Sequence, residues 1–194
     1  PFLESIPESF ASITRIPGHL IDRQAIRNAH ALLVRTRTRC DDSLLEGSSV
    51  SFIGSATIGT DHIDMSYCKW HNITVANAPG CNAGAVMQYV FTALTAWAAM
   101  TKTDLCGKTL GVVGVGNVGK KVVELGNFLG MRTLLNDPPR AFAEGSAGFV
   151  DLALLLSHAD IVTLHVPLAP DTRGMADRKF FSSMKKGACL VNTS

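Results

Sequence analysis

The chain has 194 residues, 46% of them hydrophobic and 18% charged, and a net charge of +2 from 18 basic and 16 acidic side chains. That is too apolar and too weakly charged for a disordered tail or a nucleic-acid arm, and the near-neutral balance argues against broad polyanion binding. One large or two small domains with real cores fit the length. The five cysteines (Cys40, Cys68, Cys81, Cys106 and Cys189) are odd in number and widely spaced, with no CxxC pair. They form neither a zinc ribbon nor a disulfide framework, so no metal site and a reducing, cytoplasmic setting are expected. No signal peptide is visible.

The chain opens on Pro1 rather than Met and stops at Ser194, directly behind an apolar run at 188–191. A strand there would continue into a loop and a covering helix, so clipping at both ends is expected. Residues 1–12 read as helix or coil, where a parallel domain would begin with a strand. Three short apolar runs follow at 31–34, 51–56 and 73–76, bounded by turn formers or charges, as buried parallel strands are. Stretches of helical character at 21–29 and 43–45 lie before and between them, which implies βα units.

Residues 83–100 carry no formal charge and are about one membrane span long. Gln88, Thr92 and Thr95 interrupt the run and no basic cluster flanks it, so a bridging helix buried between two domains is expected, not a membrane segment. Pro79-Gly80-Cys81-Asn82 before it is a turn with Asn82 as a possible N-cap. Beyond it, strands are expected at 109–113, 132–136, 161–165 and 189–192. Helices are expected at 118–129, 152–157 and 178–184, with a surface loop at 142–148. The domains so defined are 1–82, a linking helix over 83–104, and 105–194.

Gly114-Val115-Gly116-Asn117-Val118-Gly119 is a GxGxxG loop between a strand and a helix. Gly114 permits a tight turn, Gly116 lets backbone approach a pyrophosphate, and Gly119 lets the helix pack on the strand. The helix N-terminus adds unpaired N–H groups and a partial positive charge. Asp137 ends the next strand, where a carboxylate would accept hydrogen bonds from ribose hydroxyls and repel a 2′-phosphate, favouring NAD over NADP. Asp137 would also open a turn at Pro138-Pro139, and Arg140 lies near enough to soften the exclusion of NADP.

Arg35, Arg37 and Arg39 alternate with Thr36 and Thr38 at the end of the first strand. Period two would place the arginines on one face, suited to a carboxylate or phosphate, or simply to solvent. Residues 54–64 form a small-residue loop at a strand's C-terminal end, where Thr57 and backbone N–H groups could bind an anion. His62 and His165 are expected to be structural.

The blocks Thr109 to Gly119, Asp137, His165-Val166-Pro167-Leu168, Thr172-Arg173-Gly174 and Met184 to Ala188 with Val191-Asn192 together resemble the D-isomer-specific 2-hydroxyacid dehydrogenases. So do Ala31 to Thr36, Ala56 to Asp64, Ala78 to Asn82 and Asp137-Pro138-Pro139-Arg140, and the resemblance covers nearly the whole chain. It implies an α/β chain with a flavodoxin-like substrate domain and a Rossmann-type doubly wound dinucleotide-binding domain, both incomplete. It further implies NAD as cofactor, a small phosphorylated hydroxy acid as substrate, and a homodimer, with no nucleic acid and no membrane. Residue by residue, Thr36, Thr57 and Arg35 would meet substrate. Asn117 and Val118 would lie against the pyrophosphate within the cofactor-binding loop that Gly114, Gly116 and Gly119 form, Asp137 against the ribose, and Val166 beside the cofactor in place of a common Thr. Thr193 and Ser194 would sit on the nicotinamide side. The family's catalytic Arg, Glu and His are implied just after Ser194, so no catalytic residue is expected within the chain and it should not turn over substrate alone. Other enzymes of the family using glycerate or phosphoglycerate, or a non-catalytic NAD-sensing protein, are the competing expectations.

Overall fold

Every named strand pairs in parallel, in two separate sheets, in the computed structural model, which describes residues 12–194. Except for Ser12, the expected N-terminal helix or coil lies outside the described residues. The chain divides between Pro79 and Gly80 into two compact units.

In the first unit, β1 (Ala31–Val34), β2 (Phe52–Ser55) and β3 (Thr74–Ala76) lie in that order, with Val34 beside Ser55 and Gly54 beside Ala76. The helices α1 (Arg23–Ile26), α2 (Asp42–Leu45) and α3 (Met65–Trp70) are short, and a 3-10 turn (Gly18–Leu20) precedes them. The helix expected over 21–29 therefore shrinks to one turn, started by Asp22, which accepts from Ala25 N–H at 2.8 Å. Asp64 starts α3 in the same way, accepting from Tyr67 N–H at 2.9 Å. Such caps satisfy donors that a helix's first turn cannot pair internally.

The sheet buries one face. Leu32, Val34 and Ile53 pack with Ile26, Leu44, Leu45 and Cys68 from the three helices. Leu33 points the other way and is 55% exposed. The expected burial on both faces is thus not met in β1, because α1, α2 and α3 contribute to a single core on one side.

In the second unit the sheet order is β5 (Arg132–Asn136), β4 (Thr109–Val113), β6 (Ile161–Leu164), β7 (Cys189–Asn192). Here both faces are covered, and β4 and β6 are buried at every position. One layer joins Leu110, Val112 and Ile161 to Val122 of α5 (Asn117–Phe128) and to Val90 and Leu94 of α4 (Ala83–Thr101). The other joins Val113, Val162 and Leu164 to Leu155 and Leu156 of α7 (Leu152–His158) and Phe180 of α8 (Arg178–Ser183). This is the doubly wound arrangement, with the strand order reversing at β4.

Three expectations need correction. By length and composition α4 could cross a membrane, and only about one-sixth of its apolar window is buried. Val90 and Leu94 form part of the unit's core while Tyr89 and Met100 are exposed, so the helix is buried along one stripe and not all round. Asn82 gives α4 no side-chain cap; backbone turns from Gly80 and Asn82 begin the helix instead. The turn expected at Pro138-Pro139 and the first three residues of the loop expected at 142–148 are a helix, α6 (Pro138–Glu144), while residues 145–148 are the expected exposed loop. Proline's fixed φ suits the first helical turn, where its missing N–H would have no partner anyway.

Candidate functional site: a glycine loop at the end of the parallel sheet

The three loop glycines do three different things. Gly114 follows β4 with φ +86°, and a Cβ there would lie 2.7 Å from the His165 carbonyl oxygen, so a side chain is excluded twice over. Gly119 faces inward from α5, where a Cβ would come within 2.0 Å of the Gly114 oxygen. Gly116 is the N-cap residue of α5, with φ −77° and no side-chain cap, and a Cβ there would meet nothing within 4 Å. The open face at Gly116 and the twelve-residue helix behind it suit a pyrophosphate, which the N-terminal N–H groups of Asn117, Val118 and Gly119 would bind. The residues present therefore fit a dinucleotide.

Asp137, at the end of β5, is bound to the same loop. Its Oδ2 accepts from Val115 N–H at 2.7 Å, and its Oδ1 accepts from Arg140 N–H at 3.1 Å as the N-cap of α6. Arg140 returns the contact by donating from Nη1 to the Val115 carbonyl at 2.7 Å. The rest of the guanidinium is gripped by Glu144, with Nε–Oε1 at 2.8 Å and Nη2–Oε2 at 2.6 Å, and it lies 5.4 Å from the Phe149 ring centre. These hydrogen bonds raise the Arg140 pKa and lower that of Glu144. Sequence reasoning missed Glu144; its i, i+4 spacing from Arg140 is a signal only once α6 is known to be a helix.

Across the sheet, the ends of β6 and β7 are tied through His165. Thr193 Oγ1 donates to the Leu164 carbonyl at 3.2 Å, so it accepts from His165 Nδ1–H at 2.7 Å. The other ring nitrogen then accepts from the fully buried Thr163 hydroxyl at 2.9 Å. Burial pushes the His165 pKa down to about 4, which keeps the ring neutral. Val166 N–H donates to Ser194 Oγ at 3.1 Å, and its side chain borders Gly114. Thr193 and Asn192 line an open cleft of about 400 Å³ with Asn82, Ala85, Val86 and Tyr89. Gly114, Gly116, Asn117, Val118, Gly119, Asp137, Val166, Thr193 and Ser194 all sit at or just beyond the C-terminal ends of these strands or at the N-terminus of α5.

In the first unit, Arg35 and Thr36 follow β1 and Thr57 follows β2, so the parallel pairing sets them at the same sheet edge. The arginine alternation fails, because β1 ends at Val34 and Thr38 N–H closes a turn onto Arg35 O at 3.2 Å. Thr38 is buried, and Arg39 is paired with Asp41 at 2.8 Å. Sequence reasoning also missed a relay beside Thr57. Thr57 Oγ1 donates to Gly59 O at 3.0 Å, and so accepts from Ser55 Oγ at 2.6 Å, which in turn accepts from His62 Nε2 at 3.0 Å. His62 is buried, consistent with a structural role, and its Nδ1 has no partner.

Comparison with known proteins bears on both units. Residues 86–194 match the family described as D-isomer specific 2-hydroxyacid dehydrogenase, NAD binding domain. The chain is 45% identical to the erythronate-4-phosphate dehydrogenase of Bacteroides fragilis, covering 100% of this chain and 57% of that protein. To the enzyme of the same name from Chromohalobacter salexigens it is 44% identical, covering 99% of this chain and 51% of that one. The chain thus spans about half the length of the curated relatives it matches. Among solved structures, D-lactate dehydrogenase from Aquifex aeolicus, complexed with NAD and lactic acid, superposes with a TM-score of 0.77 at 25% identity, covering 91% of this chain and 60% of that one. NAD+-bound 3-phosphoglycerate dehydrogenase of Entamoeba histolytica superposes with a TM-score of 0.75 at 28% identity, covering 88% and 57%. With the glycine loop, its acidic partner and the doubly wound sheet, these matches establish that the chain belongs to the D-isomer-specific 2-hydroxyacid dehydrogenase family, with residues 86–194 as its NAD-binding domain.

Proposed function

We propose that the chain serves the NAD-dependent oxidation of 4-phospho-D-erythronate to 2-oxo-3-hydroxy-4-phosphobutanoate, a step of pyridoxal phosphate biosynthesis, in a cytoplasmic homodimer. The substrate rests on the names of relatives at 44 and 45% identity, which are erythronate-4-phosphate dehydrogenases. The observation that carries the cofactor half is the open face of Gly116 beside the Asp137 carboxylate.

In this reading, Asn117, Val118 and Gly119 hold the pyrophosphate through backbone N–H groups beside the open face of Gly116, and Asp137 accepts from the adenosine ribose hydroxyls with its remaining lone pairs. NAD, when bound, supplies the acceptor for the hydride leaving C2. Neutral His165 holds Thr193, and with it the end of β7, on the nicotinamide side. Arg35 and Thr36 meet the anionic substrate, joined by Thr57, whose hydroxyl reaches it by exchanging its bond to Gly59 O. The hydroxyl proton would be taken by a histidine as general base and the carboxylate held by an arginine, as the family resemblance implies; no residue among the 194 is proposed for either task.

Two titrations test the reading. The chain should bind NADH, seen as a shift and enhancement of reduced nicotinamide fluorescence. The complete gene product should oxidise 4-phospho-D-erythronate in preference to D-glycerate and 3-phospho-D-glycerate, followed by NADH formation. Absence of NADH binding refutes the cofactor half, and a preference for unphosphorylated glycerate refutes the substrate.

A further inference from the structure

Arg140 sits where a dinucleotide enzyme that accepts NADP would place its phosphate ligand. It follows the ribose-binding Asp137 by three residues, and its own N–H is bonded to that carboxylate. A guanidinium so placed should pull the 2′-phosphate in, against the repulsion from Asp137. The structure shows it committed elsewhere: Nη1 is on the Val115 carbonyl, Nε and Nη2 are on the two oxygens of Glu144, and the group lies beside the Phe149 ring. Glu144 therefore both neutralises the cation and fixes its direction.

We propose that Glu144 determines cofactor choice: it holds Arg140 on the glycine loop and away from a 2′-phosphate, leaving Asp137 to select the ribose that carries a 2′-hydroxyl. The inference rests on the reading of this loop as the dinucleotide site. It goes beyond the role of Asp137, because it makes NAD preference depend on a residue that touches no cofactor atom. Glu144 is a positioning residue in this sense. A purely structural i, i+4 pair would affect the stability of α6 and leave cofactor discrimination alone.

The test measures dissociation constants for NADH and NADPH by nicotinamide fluorescence in the 194-residue chain and three variants. Glu144→Ala, which leaves a good helix former at an exposed position, should lower the NADPH-to-NADH ratio of dissociation constants about tenfold, the factor expected of one new charge-assisted hydrogen bond. The double variant Glu144→Ala/Arg140→Ala should return the ratio to that of the unaltered chain. Arg140→Ala alone should leave it unchanged, since Arg140 is already withdrawn. An unchanged ratio in Glu144→Ala overturns the proposal, as does a fall that persists in the double variant. A rise in the ratio in Arg140→Ala alone would show that Arg140 already reads the 2′-phosphate, and overturns it too. Failure of the unaltered chain to bind NADH is a separate result that refutes the site itself.

Discussion

The glycines at 116 and 119 allow folding and cofactor binding to be separated by one methyl group each. At Gly119 the added Cβ would lie 2.0 Å from the Gly114 oxygen and 3.4 Å from Val112 Cγ1, both on the strand-and-loop side of α5. Backbone cannot swing aside as a side chain can, so the helix must lift from β4; overpacking of this kind costs typically about 1–3 kcal/mol, and this contact belongs at the upper end. Alanine recovers about 1 kcal/mol of helix propensity over glycine, leaving a net loss of about 2 kcal/mol. At Gly116 the φ of −77° suits any residue and nothing lies within 4 Å. There the weaker N-cap and the reduced chain entropy of the unfolded state nearly cancel, so stability should change by no more than about 0.5 kcal/mol. The methyl would nevertheless occupy the space a pyrophosphate needs, weakening NADH at least about tenfold, or ~1.4 kcal/mol. Urea unfolding followed by circular dichroism gives the first quantity, and NADH fluorescence titration gives the second. Gly119→Ala with an unchanged midpoint would refute the packing argument. Gly116→Ala binding NADH as tightly as the unaltered chain would refute the assignment of the loop.

Asp137→Ala should weaken NADH binding about tenfold or more, and it should not be silent in folding. The carboxylate caps α6 and holds Val115 N–H, so a loss of about 1–2 kcal/mol is expected in the same urea experiment; full retention of both stability and affinity would remove Asp137 from the site. His165 makes a prediction in pH. Its pKa falls from the ordinary 6.5 to about 4 through burial, so between those values the unfolded chain binds more protons than the folded one. Its contribution is therefore complete above about pH 6.5 and is lost as the pH falls through about 4; discounted for partial exposure, it amounts to about 2 kcal/mol. His165→Gln should flatten that part of the stability profile, and an equal acid slope in the variant would contradict a neutral, buried imidazole.

The unit β4–α5–β5 was legible in the sequence almost residue by residue. Its strand β4 is a short, fully buried and largely apolar run, and the turn between β4 and α5 is marked by glycines, of which Gly114 and Gly119 have steric reasons for their positions. What failed did so locally. Pro138-Pro139 suggested a turn because proline breaks helices, yet at the first two helical positions it costs nothing. Arg35, Arg37 and Arg39 suggested one strand face, but the period holds only while the strand lasts, and β1 stops at Val34. The polar networks were beyond reach for a different reason. Arg140 meets Val115 from 25 residues away, and His165 meets Thr193 from 28, so each contact exists only once strand order and register are set. A sequence shows which groups can bond; the register decides which do.

The Val115 peptide brings these strands of argument together. Its N–H is held by Asp137 and its carbonyl by Arg140, each at 2.7 Å, so the middle of the glycine loop is fixed from both sides by residues at the start of α6. A loop of three glycines is otherwise the costliest kind of segment to order, since glycine loses more conformational freedom than any other residue. Ordering it during folding removes that cost from cofactor binding, which is how a preorganised site gains affinity without additional contacts. The helix whose start sequence reasoning took for a turn is thus the element that stiffens the glycine loop. It follows that breaking α6 at its start should weaken NADH binding in a fluorescence titration, through the loss of order at the Val115 peptide.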